Sequence, residues 1–326
     1  MTRDRGPVFI AGLERSGTSL IYAVLASHSQ IAMTRRTNLW THFYRQYGDL
    51  YDSTNLDRCL AMIMRYKRTL KLEPDPERVR AEFLDGDRTY ARLFSILQEH
   101  HAERIGKPRW GDKSLNTEKF TEPILASYPG ARIIHMVRDP RDRYASSLTR
   151  WKSRRGGIGA GTAEWLASAK MADEHQRQYP NAYMVLRYED LVGEPETVVR
   201  AVCGFIDEEF EPEMLMMAGA PSLTTKGFNS SYGPLERNTI STRSIGRFRT
   251  VLTHGQIAFI EAAAGYRMAL LGYELDRPAL GVGARTIHHL ARVPFEYSRF
   301  AAWHIREAVR DRRGRPVPEY RLVTHQ

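Results

Sequence analysis

Val8-Phe9-Ile10-Ala11-Gly12-Leu13-Glu14-Arg15-Ser16-Gly17-Thr18-Ser19 runs directly into Leu20-Ile21-Tyr22-Ala23-Val24-Leu25-Ala26. The first five residues form a short apolar run suited to a buried strand, and the last seven read as an apolar helix. Between them lies a loop bounded by Gly12 and Gly17. Strand, glycine-bounded loop and helix together predict a phosphate cradle, because loop N–H groups and the positive helix end converge on one anion. Glycine, four residues, glycine is the spacing of a nucleotide-binding P-loop, but Thr18 occupies the lysine position. A nucleoside triphosphate needs that lysine on its outer phosphates. Arg15 supplies a different cation, so the expected ligand is phosphorylated but is not a triphosphate. A tight turn without a ligand is the plain alternative.

A second pattern tests the first. Ala131-Arg132-Ile133-Ile134-His135-Met136-Val137-Arg138 reads as a buried strand ending in Arg138-Asp139-Pro140-Arg141-Asp142. Pro140 suits the first turn of a helix running through Trp151, with Asp139 as its cap. Ser146 and Arg150 lie four apart and share a helix face. With Arg138 at the strand end, they form a candidate second phosphate site through charge-assisted hydrogen bonds. Arg141, Arg143 and Lys152 read instead as a solvated basic face.

The Arg15-Ser16-Gly17-Thr18-Ser19 core resembles the 5′-phosphosulfate loop of sulfotransferases that use 3′-phosphoadenosine 5′-phosphosulfate (PAPS). The spacing of eight from Arg138 to Ser146 resembles the 3′-phosphate site of the same family, and Arg150 fits its extended form in protein-tyrosine sulfotransferases. Tyr183-Met184-Val185-Leu186-Arg187-Tyr188-Glu189-Asp190-Leu191 resembles the segment whose tyrosine contacts the nucleotide, a role that passes to Tyr188. Glu189 and Asp190 read equally well as helix caps. Ser241-Thr242-Arg243-Ser244-Ile245-Gly246-Arg247-Phe248-Arg249 resembles the Ile-Gly-Arg-aromatic segment that closes over the 3′-phosphate, implying Arg243, Ser244 and Arg247 as ligands, with Lys226 as an alternative. Trp110-Gly111-Asp112-Lys113-Ser114 places Lys113 at the family's second catalytic lysine, facing the leaving group. The resemblance covers roughly Pro7 to Tyr273, and it implies Arg15, Ser16, Gly17, Thr18 and Ser19 around the 5′-phosphosulfate.

One departure concerns the general base. Tyrosine and several carbohydrate sulfotransferases have a glutamate shortly after the first helix, whereas Met33-Thr34-Arg35-Arg36-Thr37-Asn38-Leu39-Trp40 has no carboxylate. Its two arginines suggest an acidic acceptor or added nucleotide contacts. Asp112 is the first candidate base, ahead of Glu14 and His135. The dull readings of these three are an ion pair, a helix-start charge and a buried strand histidine.

Strand candidates at Val8–Gly12, Pro108–Gly111, Ile133–Val137 and Tyr183–Leu186, separated by helices, predict an α/β fold with a P-loop-type parallel sheet flanked by helices. Arg15, Lys113, Arg138 and Tyr188 all fall where ligands gather in such sheets, beyond the strands' carboxyl ends. Residues 1–276 are expected to form the sulfotransferase domain, with a helical insertion at about 38–101. Trp40, Phe43, Tyr44, Tyr47 and Tyr51 read either as an aromatic acceptor pocket or as core. Residues 277–326 form a basic extension: from Arg285 to Gln326 there are nine arginines, four acids and no lysine. Leu290, Val293, Tyr297, Phe300, Ala301 and His304 recur there at helical spacing, so the extension reads as a docked helix with a frayed tail or as an amphipathic helix on an anionic membrane.

The 326 residues are 42% hydrophobic and can bury one large core. A net charge of +10 suits a polyanionic nucleotide and does not by itself exclude other anionic partners. Cys59 and Cys203 are too few for a disulfide framework. With no eighteen-residue apolar run and Met1-Thr2-Arg3-Asp4-Arg5 leading straight into the first strand, the expected location is cytoplasmic. The expected activity is sulfuryl transfer from PAPS to a hydroxyl or amine on a small-molecule, glycan, lipid or peptide acceptor, with no metal and no nucleic acid. The alternatives are a P-loop kinase or nucleotide hydrolase, disfavoured by Thr18 and the lack of a magnesium carboxylate, and a non-catalytic nucleotide-binding protein at the membrane surface.

Overall fold

The computed structural model describes residues 5–150, 157–220 and 240–323, apart from the side chains of Arg150, Ala284 and His288. Its centre is a five-stranded parallel sheet, ordered β2-β3-β1-β4-β5. The strands are β1 (Val8–Gly12), β2 (Ile31–Arg35), β3 (Arg109–Lys113), β4 (Arg132–Val137) and β5 (Tyr183–Arg187). Apolar runs with no alternation make a sheet that must be covered on both faces. The β1 residues Val8, Phe9, Ile10 and Ala11 are fully buried, with β3 on one side and β4 on the other.

One face is covered by α1 (Thr18–Ala26), α9 (Tyr188–Gly193) and α10 (Pro195–Phe205), through Ile10, Ile21, Val24, Ile134, Leu191 and Val202. The other is covered by the inserted helices α2 (Leu39–Phe43), α3 (Ser53–Arg65), α4 (Pro76–Leu84) and α5 (Tyr90–Arg104). There Phe9 packs edge-on to Trp110 and stacks on Phe94. Trp40 and Phe43 belong to this core, Tyr44 and Tyr47 pack on it, and Tyr51 is exposed. Asp52, Asp75 and Thr89 cap α3, α4 and α5 by accepting first-turn N–H groups.

Two differences from the sequence reading lie at the carboxyl edge. A fifth strand, β2, follows α1, and β3 spans Arg109–Lys113 rather than Pro108–Gly111. Pairing with β1 and β2 draws polar Asp112 and Lys113 into the ladder. Hydrogen bonds from both neighbours outweigh the low strand propensity of these side chains.

α6 (Thr121–Ser127) leads to β4, and α7 (Pro140–Arg150) leaves it. Asp139 caps α7: its Oδ1 accepts from Arg141 N at 2.8 Å. α8 (Gly157–Gln178) and the helix His254–Leu270 build a further apolar cluster with Trp165, Phe259 and Ile260. The carboxy-terminal helix Val293–Arg313 lies along α8, so closely that a Cβ on Gly159 would stand 1.9 Å from the Glu296 carbonyl oxygen. Lys119 joins it through Glu307 at 2.7 Å and Asp311 at 2.8 Å. The chain then returns to the inserted helices, where Tyr66 and Leu322 form an antiparallel bridge and Lys67 N donates to Arg321 O at 2.9 Å.

Candidate active site

The β1–α1 loop has the backbone that its glycines permit. Gly12 and Gly17 have φ of 110° and 92°, and Arg15 is held at 71°. A Cβ on Gly17 would lie 2.5 Å from the Tyr188 ring, so only glycine lets the loop lie against that side chain. Thr18 and Ser19 open α1, in the turn whose N–H groups lack helical acceptors. Ser16 and Thr18 are buried, while Arg15 and Ser19 are partly open. Arg15 Nε donates to Ser146 Oγ on α7 at 2.9 Å, across 131 residues of sequence.

That contact joins the two motifs. Arg138, at the end of β4, donates from Nη1 to the Arg15 carbonyl at 3.1 Å and from Nη2 to the Ser244 carbonyl at 2.7 Å. Its guanidinium lies 4.4 Å from the centre of the Tyr188 ring. Tyr188 Oη and Ser244 Oγ share a hydrogen bond of 2.5 Å. Arg138 Nε is buried and has no partner among the described residues. Arg15, Arg138, Ser146, Tyr188 and Ser244 therefore meet at one place beside the loop. Asp142 anchors the last segment, accepting from Gly246 N at 2.7 Å and Phe248 N at 2.8 Å. Glu189 is not a helix cap: its Oε1 accepts from Asp139 N and its Oε2 from Tyr273 Oη.

The far flank of the loop carries Lys113. Only 2% of it is exposed, and among the described residues its ammonium has no hydrogen bond or ion pair. Burial first, then the charges of Arg36 and Arg35, hold its pKa at about 7, while Glu14 and Asp112 act in the opposite direction. Arg35 is paired with Lys113 in the β2–β3 register, and Arg36 N donates to Lys113 O at 2.6 Å. Asp112 is enclosed. Its Oδ1 accepts from Thr34 Oγ1 at 2.8 Å and Thr37 Oγ1 at 2.9 Å, and burial raises its pKa. Neighbouring strand residues project to opposite faces, so Asp112 shares the Phe9 face and Lys113 the Ile10 face. His135 is the buried strand histidine of the dull reading, held by Tyr183 Oη at 2.6 Å and Ser168 Oγ at 3.0 Å, with burial pushing its pKa down to about 3.

One expectation is corrected. Arg141 and Arg143 are not a solvated basic face: 2% and 1% of them are exposed. Arg141 meets Asp139 at 2.7 Å and Glu261 at 2.5 Å, and Arg143 meets Glu164 at 2.5 Å. Glu261 is far away in sequence, and no local pattern announces it. Arg243 is exposed and Arg247 partly so. Trp151, Lys152, Lys226 and the Arg150 side chain lie outside the described residues. Arg68, from the inserted helices, acts on Arg35, a neighbour that no sequence pattern announces. Nearby, a cleft of 1270 Å³ opens between α8 and the carboxy-terminal helix, lined by Leu13, Tyr44, Phe120, Glu164, Trp303 and Arg310 among others.

The family model described as "Sulfotransferase family" matches residues 7–212, which include the loop, Lys113, the Arg138–Ser146 pair and Tyr188. The chain belongs to the sulfotransferase family. That membership does not favour the kinase or hydrolase alternatives. The chain is 40% identical over 95 residues to Carbohydrate sulfotransferase 2 of Homo sapiens, covering 28% of this chain and 17% of that protein. It is 22% identical over 277 residues to a putative protein-tyrosine sulfotransferase of Caenorhabditis briggsae, covering 82% of this chain and 89% of that one. Its fold matches the sulfotransferase domain from the Synechococcus PCC 7002 olefin synthase with a TM-score of 0.57 and 22% identity, covering 82% of this chain and 95% of that domain. Several curated relatives are much longer: the chain spans only 17% to 27% of the length of three of them.

Proposed function

We propose that this sulfotransferase takes a sulfuryl group from PAPS and moves it by in-line displacement to a hydroxyl or amine of its acceptor. The observation that carries the reading is the meeting of two anion-binding motifs through Arg15 Nε and Ser146 Oγ at 2.9 Å. The residues fit a nucleotide with phosphates at both ends. The β1–α1 loop supplies N–H groups and a helix end, and buried Arg138 Nε lacks a partner among the described residues, as an anion-binding donor would in the free protein. Relatives named carbohydrate and protein-tyrosine sulfotransferases support the reaction class.

PAPS, when bound, supplies a sulfuryl group attached to a good leaving group. The protein's part is positioning and preorganised positive charge. Ser16, Gly17, Thr18 and Ser19 with Arg15 hold the 5′ end. Arg138, Ser146, Tyr188 and Ser244 hold the 3′ end, with Arg150, Arg243 and Arg247 completing it by the family resemblance. Lys113 Nζ holds positive charge where the leaving oxygen develops negative charge. Asp112 acts as a positioning residue, since the hydroxyl groups of Thr34 and Thr37 both donate to its Oδ1. Of the two base candidates whose charge acts on Lys113, Glu14 is partly exposed and Asp112 is enclosed.

Residues 1–276 form the catalytic unit in this reading and 277–326 an extension. No helix among the described residues is long and apolar enough to cross a membrane. Peripheral membrane contact is supported by the outward face of the carboxy-terminal helix, where Phe295, Ile305 and Val309 are exposed near Arg306 and Arg310. Sedimentation with anionic against neutral vesicles decides that contact.

The experiment on the reaction is release of adenosine 3′,5′-bisphosphate from PAPS in EDTA, with wild type and Lys113→Ala. Removing one such charge should slow turnover about 10²–10³-fold, well beyond the accompanying loss of nucleotide affinity. Equal turnover in both proteins would remove Lys113 from the chemistry.

A further inference from the structure

We infer that the acceptor is itself an anion, bearing a carboxylate, phosphate or sulfate beside its reacting group, and that the returning segment Arg315–Val323 completes the site that holds it. The inference rests on the nucleotide reading above, which assigns the β4–β5 flank of the loop and Lys113 to PAPS and leaves the β2 end with its following turn for the acceptor.

That flank is built by a sharp reversal. β2 ends at Arg35, next to Lys113, and Arg36 is held in the left-handed region at φ 57°, with Asn38 at 53°. Such conformations for residues other than glycine persist where surrounding contacts impose them, and they cluster at functional sites. The contacts are visible: Arg36 N on Lys113 O, and Asn38 N on Ser114 Oγ at 2.8 Å. The reversal leaves Arg35 Nε and Arg36 Nε buried with no hydrogen-bond partner among the described residues.

The carboxy-terminal segment adds the next cation. Pairing of Tyr66 with Leu322, and of Lys67 N with Arg321 O, brings Arg321 beside Arg68. Arg321 Nη1 lies 3.1 Å from His42 Nε2, and His42 Nδ1 lies 2.7 Å from the Arg315 carbonyl. If Nδ1 carries the proton to that carbonyl, Nε2 accepts from Arg321 and the ring is neutral. Burial and the charges of Arg321, Arg315 and Arg68 favour that state. The cations feel one another: Arg36 and Arg68 lower Arg35, while Arg321 and Arg36 lower Arg68, in each case after burial.

Among the described residues, no carboxylate pairs with Arg35, Arg36, Arg68 or Arg321. The buried Arg109 and Arg141, by contrast, each meet a carboxylate, Arg109 finding Glu208 at 2.9 Å and Arg141 finding Glu261 at 2.5 Å. Four guanidinium groups without a carboxylate partner repel one another, and an anionic ligand relieves that repulsion.

The test is calorimetric titration with citrate, a small polyanion, in the presence of saturating adenosine 3′,5′-bisphosphate. Wild type should bind citrate with an affinity that weakens as salt rises. Arg36→Gln and Arg321→Gln should each weaken it at least tenfold, with nucleotide affinity within twofold of wild type and similar melting temperatures. Unchanged citrate binding in both variants would overturn the inference. So would a parallel fall in nucleotide affinity, which would place the cluster in the nucleotide site. Citrate bound and lost in this pattern by a protein that ignores the nucleotide would support the anion site and sink the nucleotide reading alone.

Discussion

Arg141 and Arg36 both lie just past the carboxyl edge of the sheet, and they have opposite surroundings. Arg141 is buried against Asp139 and Glu261, with a further bond from Nη2 to the Glu274 carbonyl at 2.7 Å. Arg36 has no carboxylate among the described residues and shares its flank with Arg35, Arg68, Arg321 and Lys113. A buried charge with its partners in place ties elements together. A cluster of one sign without partners is unfavourable until a ligand supplies the opposite charge. The first arrangement holds α7 to the helix His254–Leu270, and the second is suited to binding.

The comparison is broken most severely at Arg141. Arg141→Ala leaves the Asp139 and Glu261 carboxylates buried and unpaired, which should destabilise the fold by about 3–5 kcal/mol in denaturant unfolding. Arg36→Ala should leave stability unchanged or raise it. If the two variants unfold alike, the division between structural and ligand-directed arginines fails.

A smaller effect sharpens the same contrast through protons. Lys113 is held at about 7, below the 10.5 of an ordinary lysine, by burial and by Arg36 and Arg35. A lysine lowered in this way is mostly neutral at pH 8, and an anion placed beside it raises its pKa. Binding of adenosine 3′,5′-bisphosphate between pH 7 and 9 should therefore take up a proton, and below pH 6 uptake by this group should vanish. Calorimetry in two buffers of different ionisation enthalpy measures it. Arg36→Gln removes one of the lowering charges, so its uptake should be smaller. Proton release, or uptake indifferent to Arg36, would contradict the assignment.

The parts of this arrangement that the sequence displays are the local ones. The β1–α1 loop and the Arg138–Ser146 pair are each set by a few consecutive residues, and their spacing survives in the linear chain. The fold class followed from apolar runs alternating with helices. β2 as a whole and the end of β3 did not, because Thr34-Arg35 and Asp112-Lys113 are polar and become strand only through pairing. Arg141 was misread for the same reason: its partner Glu261 is 120 residues away, beyond any periodicity. Arg321 reaches Arg68 only because the chain folds back along the inserted helices, so the acceptor flank was half visible as Arg35 and Arg36. The aromatic run from Trp40 to Tyr51 was ambiguous in sequence, since core and pocket demand the same spacing. Trp40 and Phe43 are core.

In the proposed function, the loop and its Arg138 flank hold a nucleotide with two separate phosphates rather than a triphosphate. Calorimetric titration with adenosine 3′,5′-bisphosphate and with ATP, on wild type and Arg138→Ala, addresses it directly. The bisphosphate should bind wild type at micromolar strength in EDTA, and ATP much more weakly. Arg138→Ala should lose roughly 2 kcal/mol or more of that affinity, the scale expected when a buried charged hydrogen-bonding partner is truncated. Magnesium-dependent ATP binding, or bisphosphate affinity untouched by Arg138→Ala, would contradict the account.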